Sequence, residues 1–243
     1  MAENKEGQSL ITFRTDGVWN IQDIQSFVSA VASFYTTVYG LTKYRRASHE
    51  VAEETLYMHK RYLEDMMEYA PHPYMKEMMY LWEKMYHNFE KHMKEGYPYK
   101  KFMKEGYPYP PMPFPGMPNV PEIPRLSAIS FIEDIKQSMI PDYQLQVYRV
   151  KMESPGDWSF SGLSDVVREF RELIKDLWFR NSQEKRKGEL EIEAISRVLR
   201  DRYHVPPKEN QKITGILTKD KKALENLEKE GKLLPIPEHI DNE

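Results

Sequence analysis

Glu83, His87 and Glu90 stand at i, i+4 and i+7, on one face of any helix through this stretch. Glutamate and histidine at that spacing can ligate a metal or pass protons. Helical di-metal centres, however, pair Glu-x-x-His on two helices with glutamates from two more, and the chain contains no Glu-x-x-His. The trio therefore reads as a solvated ionic face. His49-Glu50-Val51-Ala52-Glu53 lacks the second histidine of the zinc-protease pattern. The 11 glycines are scattered singly, so no glycine-rich loop can cradle phosphate, and no G-x-S-x-G elbow occurs. Ser154, in Ser-Pro-Gly-Asp, sits at a turn with no identifiable base. With no cysteine, thiolate nucleophiles, disulfides and thiolate metal sites are all excluded. No metal or cofactor is expected, and the balance of the residues leans away from an enzyme.

Charge is the next constraint. The net charge is −3, and residues 126–243 hold 20 Lys/Arg against 22 Asp/Glu, so neither half is a basic domain. That argues against nucleic acid as the main ligand. The one basic concentration is Arg180, Lys185, Arg186 and Lys187, followed by Arg197, Arg200 and Arg202. Interleaved Glu184, Glu189, Glu191, Glu193 and Asp201 dilute it into a helix surface laced by i, i+4 pairs.

A third concentration is apolar. Residues 57–117 carry 11 of the 14 methionines and 10 of the 16 tyrosines. Both residue types are frequent at interfaces, Met because it adapts its shape and Tyr because it gives a large amphipathic contact. They are not confined to one stripe: Met78, Met79 and Tyr80 are consecutive, and Tyr62 and Met66 lie on the preceding segment. A helix apolar on more than one face needs more than one neighbour. Downstream, MKEGYPY occurs at 93–99 and again at 103–109, placing Tyr97, Tyr99, Tyr107 and Tyr109 in duplicate. Loops accept added length at small entropic cost, so the repeat reads as extra reach in a linker. Residues 107–124 hold 8 prolines, which exclude helix and favour polyproline II. Phe114, Val120 and Ile123 give this tract side chains that a free spacer does not need, so it is expected to lie as a strap over the domain or a neighbouring subunit.

The remaining elements must position these features. Leu10–Arg14 reads as a strand, and Thr15-Asp16-Gly17 as a turn. Asn20, with Asp23 three residues on, starts a helix whose stripe is Ile21, Ile24, Val28, Val31, Tyr35, Val38 and Leu41. Ser48 looks like a second N-cap, and a third helix would follow Pro73. Leu126–Met139 forms a short helix. Gln144–Met152 and Trp158–Ser161 form strands around the turn Ser154–Asp157. Gly162 opens a long helical region to Tyr203, interrupted by an apolar-free spacer at 180–188. Thr218 caps a last helix that Gly231 ends, followed by an extended tail from Leu233. Strand, turn, tryptophan and amphipathic helix occur in that order around Trp19 and again around Trp158, which suggests two related halves sharing one sheet.

The expected fold is a mostly helical α+β protein. A small antiparallel sheet from residues 9–15 and 144–161 would pack on long amphipathic helices 20–45 and 162–203, with a helical hairpin at 48–95 and a proline-rich strap. The expected segments are 1–96, 97–125 and 126–243. No run of 18 uncharged apolar residues exists, so no membrane span is expected, and Met1–Gly7 holds no apolar leader. A cytoplasmic location follows as an expectation. The expected function is a non-enzymatic adaptor or assembly subunit, self-associating into a homo-oligomer through Tyr62, Met66, Met78, Met79, Tyr80, the repeat tyrosines and Phe114. The alternatives are a hydrolase assembled from distant polar residues and a nucleic-acid-binding regulator using residues 180–202.

Overall fold

The computed structural model describes residues 8–69, 77, 80, 84, 126–138, 144–151, 155–184 and 188–234. In chain order they form β1 Gln8–Thr15, α1 Ile21–Tyr69, α2 Ala128–Ser138, β2 Gln146–Lys151, β3 Gly156–Leu163, α3 Ser164–Glu184, α4 Gly188–Tyr203 and α5 Pro207–Lys229. The protein is a mostly helical α+β fold with one three-stranded antiparallel sheet among these residues. It divides into two compact units: Met1–Tyr44 with Ser127–Glu243, and Arg45–Leu126.

The strand order is β1-β3-β2, so β3 is central and pairs antiparallel with both neighbours. Its register sets Ile11 opposite Phe160 and Phe13 opposite Trp158, one apolar row on one face. On the other face Thr12 and Ser159 share a hydroxyl–hydroxyl bond of 2.9 Å. The outer edge of β1 is met by the segment after α5. Asp16 N–H donates to Lys232 O (2.9 Å), and Leu234 N–H donates to Arg14 O (3.1 Å), bridging Thr15 to Leu233. The strands of the two expected halves are thus direct neighbours. The tryptophans are not equivalent, because Trp19 follows β1 whereas Trp158 lies inside β3.

α1 begins as the sequence requires. Asn20 N–H donates to Asp23 Oδ2 and Asp23 N–H to Asn20 Oδ1, both at 2.9 Å, a reciprocal cap that satisfies two orphan donors. The helix does not stop near Arg45, however. It runs unbroken to Tyr69, so Ser48 is interior and not a second cap. Arg45-Arg46-Ala47-Ser48 contains no Gly or Pro, and nothing there breaks the i→i−4 ladder. Phe27, Val31, Phe34, Tyr35, Val38 and Leu41 are buried. Phe27 touches Phe13, Trp158 and Phe160 edge-on at 5.3, 5.5 and 5.8 Å, and Phe34 meets Phe170 of α3 at 5.2 Å. Each fully buried side chain of this size contributes about 1.5–3 kcal/mol of hydrophobic stabilisation.

Two glycines set close approaches. A Cβ on Gly40 would stand 2.6 Å from Ile132 Cγ1, so α2 can lie directly against α1 only because the side chain is absent. A Cβ on Gly162 would stand 2.8 Å from Tyr35 Oη. Gly162 belongs to β3 and does not open the next helix, as its sequence suggests. The strand continues to Leu163, whose N–H donates to Tyr35 Oη at 3.0 Å.

The expected helix 162–203 is two helices, α3 and α4. Arg202, near the end of α4, pairs with Glu169, Glu172 and Asp176 of α3 at 2.9, 3.8 and 3.5 Å, so the two run antiparallel. The first ends at Glu184, inside the apolar-free stretch, and the second begins at Gly188. The last helix also starts earlier than Thr218. Pro206 stands at its N-cap and Pro207 opens it, where a missing N–H costs nothing. Glu209 and Asn210 N–H both donate to Pro206 O at 3.0 Å. Gly231, at φ +72°, follows its end as expected.

Candidate functional site: an apolar interaction surface

The turn after β1 is built to present apolar side chains. Asp16 Oδ1 accepts from Gly17 N–H at 2.7 Å, and Trp19 Nε1–H donates to Asp16 O at 3.1 Å, which anchors the indole. Trp19 stacks on Trp158 with centroids 5.9 Å apart and 25° between planes, and it meets Phe27 at 5.5 Å. Its neighbours Val18 and Ile21 are 89% and 78% exposed, an unusual state for branched aliphatic residues beside a packed core.

The surface continues onto β2. Val150 stands opposite Trp158, and Val147 opposite Phe160, with a register shift between Val147 and Arg149. Val147, Tyr148 and Val150 are all exposed. Plain strand alternation would put Val147 and Val150 on opposite faces. The register shift overturns this, since an extra residue in one strand re-phases the alternation. Trp19 and Val150 therefore both adjoin the buried Trp158, and Val147 stands beside Phe160 on the same face.

The charges on these elements are locally paired. Lys232 lies 2.6 Å from Asp23 and 2.7 Å from Glu230, and Arg149 lies 3.7 Å from Asp157. The Lys232 hydrogen bond, followed by the Asn20 backbone, holds the Asp23 carboxyl below its ordinary value; the same contact raises Lys232. The exposed groups here are branched aliphatics and Tyr148, with Trp19 half-buried and Trp158 buried beneath them.

The polar groups inside the first unit act as clamps between elements. Glu169 Oε2 accepts from Arg202 Nε at 3.0 Å and from Tyr203 Oη at 3.3 Å. Lys221, fully buried, pairs with Glu225 one turn on and lies 5.0 Å from the Trp178 ring, whose Nε1–H donates to Glu228 at 3.3 Å. Arg171 reaches from α3 to Leu10 O. Burial pushes the Tyr35 phenol up to about 12 and raises the Asp220 carboxyl, which Ser33 partly offsets by hydrogen bonding. Asp220 Oδ2 is buried with no hydrogen-bond partner. Among the described residues no group of three His, Cys, Asp or Glu could hold a metal ion.

The residues singled out in the sequence fall unevenly. Tyr80 is described, and it is 64% exposed. Tyr62 and Met66 lie on α1, and Arg180 lies on α3. Met78, Met79, Tyr97, Tyr99, Tyr107, Tyr109, Phe114, Lys185, Arg186, Lys187, Ser154 and the Glu83–His87–Glu90 trio lie outside the described residues. His49 pairs with Glu53 at 3.6 Å, an ordinary i, i+4 contact. Arg197 pairs with Glu193 and Arg200 with Asp201, so these cations sit beside carboxylates. Val18, Ile21, Val147, Tyr148 and Val150 were missed as surface residues. The available signal was Val147-Tyr148 side by side in a strand, which must present apolar groups to both faces. No helix among the described residues is long and apolar enough to cross a membrane. No family model, no curated protein and no solved structure matches the chain.

Proposed function

We propose that the chain is a non-enzymatic assembly subunit that self-associates through its Met/Tyr-rich helical segment and proline strap, and that it works in the cytoplasm. The observation carrying this reading is the exposure of Tyr57, Met58 and Tyr80, at 64, 42 and 64%. Exposed aromatic and thioether side chains concentrated in one region are the composition of an interface core. The segment around them holds most of the chain's Met and Tyr. The absence of cysteine supports a reducing compartment.

The test is the solution mass of the full chain by light scattering, beside a variant lacking residues 97–106, one repeat unit. An oligomer that dissociates on deletion supports the reading. Two monomers of equal thermal stability would refute it and leave the repeat as a tolerated insertion.

A further inference from the structure

Independently of self-association, we infer that the lysine row on the exposed face of α5 binds the phosphate backbone of double-stranded DNA.

In the sequence the row is hidden. Glu209, Asp220, Glu225 and Glu228 are interleaved with the lysines of α5, so the segment reads as charge-balanced. The fold separates the two signs. Each of the four carboxylates is buried or half-buried and has a partner within the domain. Glu209 accepts from Ile129 N–H at 3.1 Å, and Asp220 accepts from Ser33. Glu225 pairs with Lys221, and Glu228 accepts from Trp178 Nε1–H at 3.3 Å. Lys208, Lys212, Lys219, Lys222 and Lys229 are all exposed, and no other charged residue of α5 is. Lys212 pairs with Glu133 of α2 at 3.1 Å; the other four carry no ion pair among the described residues.

The row is straight, because its members recur at helical steps of three, four and seven. It runs about 32 Å from Lys208 to Lys229 by helix rise. Its middle is Gly215, exposed, where an added Cβ would meet nothing within 4 Å. Gly40 is needed to let Ile132 approach α1, but no neighbour in the chain needs Gly215. Glycine inside a helix lowers helix stability, and here it opens the backbone to close approach by another molecule.

The rest of the face selects that molecule. α5 contains no aromatic residue and no arginine, and none of its large apolar side chains is exposed. Protein interfaces are depleted in lysine and anchored by Trp, Tyr and Arg, and single-stranded nucleic acid stacks its bases on aromatic rings. The row is also only one helix wide. The helices packed on α5 carry exposed carboxylates, Glu133 and Asp134 on α2 and Glu193 and Asp201 on α4, which a flat anionic membrane would repel. A stiff rod of phosphates meets the row without them. The B-form major groove is wide enough for a helix, whereas that of duplex RNA is too narrow for side chains to enter. Lysines meet its phosphates as point charges and read no sequence.

The experiment titrates the full chain into a fluorescently labelled DNA duplex, by anisotropy, over a series of KCl concentrations. Four to five phosphate contacts predict a slope of log Kobs against log salt of about −3.6 to −4.5. Lys219→Gln with Lys222→Gln should reduce the slope by about two and weaken binding at low salt at least about ten-fold. Gly215→Gln should weaken binding while raising the Tm, a combination that a merely structural glycine would not give. Arg197→Gln with Arg200→Gln removes the same charge from α4 and should leave the slope unchanged. Thermal melts confirm that each variant is folded. No saturable binding at low salt overturns the inference, as does a slope near zero, an equal loss in the α4 control, or a Gly215→Gln chain that binds as the wild type. Tighter binding of duplex RNA, of single-stranded DNA or of phosphatidylserine vesicles assigns the row to another polyanion and overturns it too.

Discussion

Tyr39 and Tyr44 are 6% exposed, whereas Tyr57, on the same helix, is 64% exposed. α1 is continuous across all three, so one unbroken helix has two different fates. From Phe27 to Tyr44 it buries an aromatic and aliphatic face against β1, β3, α2 and α3. From Arg45 onward no described side chain on it is buried. Residue type alone does not separate these halves, since both are rich in tyrosine. What separates the described side chains is cover: the sheet and two helices bury those from Phe27 to Tyr44, and the described ones from Arg45 onward are exposed or half-buried.

The largest effect should come from the buried half. Phe27→Ala empties the space between Phe13, Trp158 and Phe160 and should cost about 3–5 kcal/mol. Chemical denaturation measures it, and a loss of a few tenths would mean that α1 is not part of the core. Next, Arg202→Ala leaves Glu169 buried beside Tyr203 without its cation. We expect a loss of about 2–3 kcal/mol, and Glu169→Gln in the same background should recover part of it.

Asp220 gives a pH-dependent effect. Its folded-state carboxyl lies above its ordinary value of 3.8, chiefly through desolvation. Its stabilising contribution is therefore present below that ordinary value and is lost as pH rises through the folded value. Nearby charges come from Lys136 on α2 and Lys219 on α5, while α1 supplies the Ser33 hydroxyl. Asp220→Asn should thus raise the Tm at pH 7 and change it little near pH 4. A lowered Tm at pH 7 would contradict this sign.

The smallest stability effect belongs to the exposed half. Tyr57→Ser and Met58→Ser should each change folding stability by no more than about 0.5 kcal/mol.

Where local chemistry decides, the sequence was readable. Asn20 and Asp23 form the reciprocal cap, and Gly231 follows the last helix. Where geometry between elements decides, it was not. The stripe drawn from Ile21 is out of phase at its start: Ile21 is exposed, Ile24 and Val28 are half-buried, and the buried residue there is Phe27. Ser48 and Thr218 have the right chemistry for caps, but both lie inside continuous helices, and a lone Gly215 does not break the second. The apolar surface was hidden by a register shift in β2, which no pattern of alternation reveals. The Glu83–His87–Glu90 trio, read as a solvated ionic face, and most of the Met/Tyr segment lie outside the described residues.

The central proposal is that the exposed Tyr57 and Met58 of α1 meet another copy of the chain. The measurement that tests it is the light-scattering mass of the full chain over a range of concentrations, beside the double variant Tyr57→Glu, Met58→Glu. The account predicts an oligomer for the wild type and a monomer of unchanged melting temperature for the variant. A wild type that remains monomeric at the highest concentration, or a variant that keeps the wild-type mass, would contradict it.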